Sequence, residues 1–172
     1  MTKRRTNAEI TPEISRRLLV DIVRGKALEL GLKPELMMAL VEQESGWNPW
    51  MFYFDATQYR QKIAPLYTME KLKNDLTELQ ARATSWGLMQ VFGQAAREHD
   101  FAGPYLTELC QPNVGVELGC RIFREKLDHE HGDVVRALLS YKDTGRASYA
   151  DEVLARKASY ESGEQKQQEN ST

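Results

Sequence analysis

Hydrophobic positions recur at three- and four-residue spacing over most of the chain, the period of a helix packed on one face. Thr11 before Pro12 offers an N-cap and a proline at the first helical position. Ile14, Leu18, Leu19, Ile22, Val23 and Leu28 then repeat at helical spacing up to Gly31. Pro34 opens a second helix to about Ser45, with Gly46 as its C-terminal cap. Residues 47–66 mix Trp, Tyr and Phe with two prolines and read as turns. Thr68 is placed to cap a third helix to Ala81, with Leu72, Leu76 and Leu79 on one face. "SWGLMQVFG" predicts a tight turn into a short helix over Gln94–His99. Helices are expected over Pro112–His129, over Val134–Lys142 behind an Asp133 cap, and over Ala147–Tyr160. No segment alternates as a strand would, and there is no internal repeat. The expected architecture is mostly α: a flexible N-terminus over 1–10, one compact helical domain over 11–161, and a disordered polar tail over 162–172.

Composition narrows this picture without changing it. At 172 residues, 41% hydrophobic and 28% charged, the chain suits one soluble domain with a sizeable core. A net charge of -2 leaves no field that would draw it to nucleic acid. The N-terminus starts cationic but never reaches the unbroken apolar region of a secretory signal, because Arg16, Arg17 and Asp21 interrupt it. No apolar run is long enough for membrane insertion, and a monomer is expected. Cys110 and Cys120 lack metal-ligand spacing and read as free, partly buried thiols. "DHEHGD" puts His129 and His131 on different faces, a solvated helix end rather than a metal site. No cofactor or metal is expected.

Candidate chemistry centres on "ALVEQESGWNP", residues 39–49. At about 100° per residue, Leu36, Met37, Leu40 and Val41 share an arc about 140° wide. Glu44 falls in the middle of that arc, while Glu35 and Glu42 fall nearly opposite. Glu42 is therefore expected in solvent and Glu44 against the core or a cleft over it. Glu44 also lies in the last turn, where the helix dipole disfavours a carboxylate by roughly 0.3–1 kcal/mol. Desolvation and dipole both work against its charged form. A Glu so placed is either a structural ion-pair partner or a general acid, which must hold a proton near neutral pH.

The ordered set "ESGWNP", "ATSWGLMQV" and "LLSYKDTG" resembles the soluble lytic transglycosylases of the goose-type lysozyme-like superfamily, over about residues 18–160. The resemblance implies a lysozyme-like helical domain with a glycan cleft. It also implies cleavage of the β-1,4 bond between N-acetylmuramic acid and N-acetylglucosamine in peptidoglycan glycan strands. Carried over, Glu44 is the catalytic acid/base. Met89 and Gln90 are turn residues lining the cleft and contacting sugar. Tyr141 is the tyrosine whose hydroxyl reaches the catalytic carboxyl. Val134, Ala137 and Leu138 independently place Tyr141 on the apolar face of its helix, where it could equally be a core tyrosine. Gly87 suits a close backbone approach or positive φ. Ser45 and Ser85 are weaker candidates, since serines at such positions often only cap.

Three departures stand out. Lys142 replaces the usual Asn. Tyr53 replaces the family's serine nine residues past the Glu, so that serine's contact does not transfer, although Tyr53 stays among the candidate substrate-binding residues. The segment from Glu44 to Gly87 is longer than in short members, and its aromatics are expected to pack an extra cleft wall. Goose-type hydrolases carry an Asp soon after the Gly-Leu-Met-Gln turn, where this chain has Phe92. Asp55 is the one acid between Glu44 and Pro65 that could act as a second carboxylate. The expected reaction is transglycosylation with 1,6-anhydro-muramic acid formation. The alternatives are hydrolysis assisted by Asp55 and an inactive wall-binding domain. A substrate outside the cytoplasm with no encoded signal suggests a phage-encoded, wall-degrading enzyme made in the cytoplasm, with a bacterial protein of mis-called start or a prophage relic as the other readings.

Overall fold

The computed structural model describes residues 12–68, 76–143 and 146–169. The expected N-terminal segment 1–10, the Thr11 cap, Leu72 and positions 170–172 lie outside the described residues. Helix α1 runs over Pro12–Glu29 and α2 over Pro34–Ser45. Pro34 opens α2, and Gly46 closes it in the left-handed region at φ 56°, its N–H donating to the Glu42 carbonyl at 3.0 Å. Every residue from Leu36 to Val41 is buried. The apolar arc is thus wider than the sequence suggested, because α1 and α9 (Ser148–Glu169) both pack along α2. The core continues through Leu19, Val23 and Ala27 of α1, Val116 and Phe123 of α7 (Pro112–His129), Ala137 and Leu138 of α8 (Val134–Lys142), and Tyr149, Ala150 and Val153 of α9. This places α2 at the centre of a mostly helical domain.

Between α2 and α7 the chain differs most from expectation. Three short strands, β1 (Phe52–Phe54), β2 (Thr84–Trp86) and β3 (Val91–Phe92), form an antiparallel sheet in that order. Tyr53 pairs with Ser85, and Ser85 with Phe92. Strands of two or three residues are too short to display alternation, and Phe52, Tyr53 and Phe54 are all exposed. Residues 56–66, read as turns, are helical: α3 (Ala56–Gln58) leads through one π turn (Tyr59–Ile63) into α4 (Ala64–Thr68). The Asp55 carboxylate starts this run by accepting the N–H groups of Thr57 and Gln58. Thr68 therefore ends a helix instead of capping one. The next helix, α5, spans Leu76–Arg82, with Leu79 buried but Leu76 exposed. The Glu78 carboxylate ties α5 to Arg97 of α6 (Gly93–Glu98) at 2.8 Å, and Arg97 also donates to the Phe101 and Gly103 carbonyls. The last helix continues to Glu169 instead of ending near Tyr160, so the expected disordered tail is helical as far as it is described. Its Glu, Gln and Lys residues are good helix formers with no proline among them.

Candidate active site

A cleft of about 600 Å³ opens between the small sheet and the α7–α8 pair. Tyr53, Asp55, Ser85, Gln90 and Phe92 line one side, Ile122, Tyr141 and Lys142 the other, and Glu44 also lines it. The Glu44 side chain is only 2% exposed. Its Oε1 accepts the hydroxyl of Tyr149 on α9, and its Oε2 accepts the Lys142 ammonium at 2.6 Å. Two donors from different helices therefore fix the plane of the carboxylate at the end of α2.

Glu42 is not in solvent as the sequence suggested. It accepts the Tyr160 hydroxyl and lies 3.6 Å from Arg156 and 4.0 Å from Arg16, because α9 and α1 cover that side of α2. Tyr160 also accepts the Trp47 indole N–H at 3.1 Å, and the Arg16 guanidinium stacks over that ring. This holds Trp47 at φ 68°, a strained backbone for an aromatic residue.

The remaining candidate residues divide between cleft and core. Tyr53, Ser85 and Gln90 line the cleft. Gln90 sits at φ 48°, and its side-chain amide donates to the carbonyls of Met51 and Gly87, locking the turn between β2 and β3. Met89 does not line the cleft. It is fully buried, with its sulfur 3.8 Å from the Cys120 thiol and its side chain filling the space left by Gly119. Gly87 is a turn residue at φ 72° whose added Cβ would meet the Leu109 carbonyl oxygen at 2.2 Å. Ser45 is buried and donates back to the Val41 carbonyl.

The Tyr141 hydroxyl does not bond to the Glu44 carboxyl. It donates to the Met89 carbonyl at 2.9 Å, and its ring meets Phe123 edge-on. Burial first, and the neighbouring Glu44 charge second, hold this hydroxyl well above the usual tyrosine range. The contact to Glu44 belongs to Tyr149, whose hydroxyl is likewise raised by burial and then by Glu44. Sequence reasoning missed Tyr149. The available signal was its spacing: Tyr149 and Tyr160, eleven apart on one helix, fall on the same face after three turns.

The aromatics after Glu44 divide: Trp47 is buried in the main core and Tyr59 packs against the Ile63, Leu79 and Ala83 cluster, whereas the others do not pack a wall. Trp50, Phe52 and Phe54 are exposed; Phe52 stacks on Trp86, and Phe54 leans on Tyr59 at the surface. Both cysteines are free and buried, with burial pushing the Cys120 thiol up to about 12. Among the described residues no helix is long and apolar enough to cross a membrane.

Residues 21–170 match the family described as the transglycosylase SLT domain. No curated protein and no solved structure matches the chain. With most of its length covered by that match, its mostly helical lysozyme-like fold and a cleft over a buried glutamate, the chain belongs to the SLT family of soluble lytic transglycosylases, whose substrate is peptidoglycan.

Proposed function

We propose that this protein cleaves the β-1,4 bond between N-acetylmuramic acid and N-acetylglucosamine with Glu44 as its single acid/base. The observation that carries this reading is the Glu44 side chain: 2% exposed, on the cleft lining, with both oxygens oriented by donors. In its acid form Glu44 protonates the leaving oxygen as the glycosidic bond breaks. The resulting carboxylate then removes the proton from the C6 hydroxyl of the same muramic acid, which closes the 1,6-anhydro ring. The substrate's own acetamido group steadies the cationic centre between these steps. A tethered hydroxyl has an effective molarity of about 10⁵ M or more, so no second carboxylate is needed to activate water.

Hydrolysis would require such a carboxylate, at roughly 6.5–9.5 Å for inversion or closer for retention. Asp55, which lines the cleft, is the acid that this alternative would use. Its Oδ1, however, already accepts two backbone N–H groups as the cap of α3, at 2.8 and 2.9 Å. Phe92 occupies the position after the turn where goose-type hydrolases carry an acid.

Mass spectrometry of digested peptidoglycan tests the reading. Anhydro products are lighter than hydrolytic ones by about 18 Da, one water, and carry no reducing end. Asp55→Asn should retain activity, since a neutral side-chain oxygen can still cap a helix. Reducing-end products together with an inactive Asp55→Asn variant would make the enzyme a muramidase. No soluble product at all would leave a wall-binding domain.

A further inference from the structure

The two donors that hold Glu44 differ in their freedom to leave. Tyr149 is a buried side chain on α9, 2% exposed, and cannot withdraw without opening the core. Lys142 is the last residue of α8, with Asp143 behind it in the left-handed region. Its side chain is 44% exposed and reaches Glu44 from the rim of the cleft. The nearby acid Asp143 pairs with Lys62 across the same rim, 3.5 Å away, so Glu44 holds the Lys142 ammonium without competition from that carboxylate.

An ion pair needs Glu44 as a carboxylate, whereas proton donation needs it as an acid and needs a glycosidic oxygen beside it. The ammonium on Oε2 competes with both requirements. A hydrated, flexible lysine is suited to such an exchange, because swinging its stem outward returns the charge to water. Resting on the reading of Glu44 given above, we propose that Lys142 is a displaceable latch: it pairs with Glu44 in the empty cleft and must be expelled before a glycan can engage the carboxyl. Part of the glycan's binding energy is then spent breaking this pair.

An uncharged N-acetylglucosamine tetrasaccharide, titrated calorimetrically, is the probe, because it adds no charge of its own. Lys142→Met keeps the aliphatic stem and removes the ammonium, and should tighten binding about two- to fivefold, the range expected for a partly exposed pair. Lys142→Arg keeps the pair and should bind like the wild type. In a Glu44→Gln background the pair is already gone, so adding Lys142→Met should change nothing, an outcome a merely structural lysine would not give. Added salt should strengthen binding to the wild type but not to Lys142→Met, a comparison within each folded protein. Equal or weaker binding by Lys142→Met, or the same gain in the Gln background, overturns the latch while leaving Glu44's role intact. Failure of every form to bind the tetrasaccharide removes the glycan-cleft reading and the latch with it.

Discussion

Glu42 and Glu44 stand two residues apart on α2, and their partners are nearly the same in kind. Each accepts a tyrosine hydroxyl from α9, Tyr160 for one and Tyr149 for the other, and each has cations beside it. The difference lies in where the carboxyl sits. Glu42 is 32% exposed in a seam between helices, with two arginines whose forked guanidinium groups favour lasting pairs. Glu44 is 2% exposed, lines a cleft, and has a single flexible lysine. A tyrosine and a cation around a glutamate thus do not mark a catalytic acid. Enclosure beside space for a substrate is what carries the proposal for Glu44.

The comparison can be broken most directly by neutralising each acid. Glu44→Gln should lower the clearing of purified walls by about 10²–10⁴-fold, the contribution of a general acid/base. Glu42→Gln should keep activity within about twofold and cost about 1 kcal/mol of stability, measured as a lower melting temperature, through a weakened bond to Tyr160. Comparable activity losses in the two variants would show that the seam and the cleft do not differ as argued.

The tyrosines give the next largest contrast. Tyr149→Phe should reduce turnover about 10- to 100-fold by freeing the carboxyl to rotate, while Tyr160→Phe leaves turnover near wild type. Each should cost about 1 kcal/mol of stability, so melting curves separate a folding defect from a positioning one. Tyr141→Phe should fall between them. It removes the donor to the Met89 carbonyl, at a cost of about 1 kcal/mol, and loosens the turn that carries Gln90, with a severalfold loss of rate.

These contrasts follow the line between what the sequence made visible and what it did not. Glu44 was legible because helical periodicity alone puts it on the buried arc of α2. Tyr141 was legible as inward-facing, but its partner was not, since the hydroxyl has the Met89 carbonyl and the Glu44 carboxyl in its neighbourhood and only packing selects between them. Tyr149 was hidden because its contact spans 105 positions and the apolar pattern of α9 is weak. Glu42 was misjudged because α2 is covered on two sides, which one helix's pattern cannot report. The small sheet was hidden for a local reason: its strands are held by backbone pairing around a turn, with Phe52, Tyr53 and Phe54 all facing solvent.

The smallest expected effect concerns alkaline stability. The Tyr149 and Tyr141 hydroxyls are raised in the folded protein, so the folded state keeps protons that the unfolded chain releases above a pH of about 10. Their contribution is therefore fully present below that pH and declines as pH rises past it. Denaturant midpoints should fall more steeply there than in Tyr149→Phe. Equal slopes would mean that Tyr149 does not retain its proton beside Glu44.

The central claim, that one carboxyl and a tethered hydroxyl suffice, is tested most directly by digesting purified peptidoglycan in ¹⁸O-water. Ring closure by the C6 hydroxyl takes no oxygen from solvent, so the new muramic acid ends should be unlabelled anhydro sugars. One ¹⁸O atom in each newly formed muramic acid end would show that water attacks, and would contradict the account.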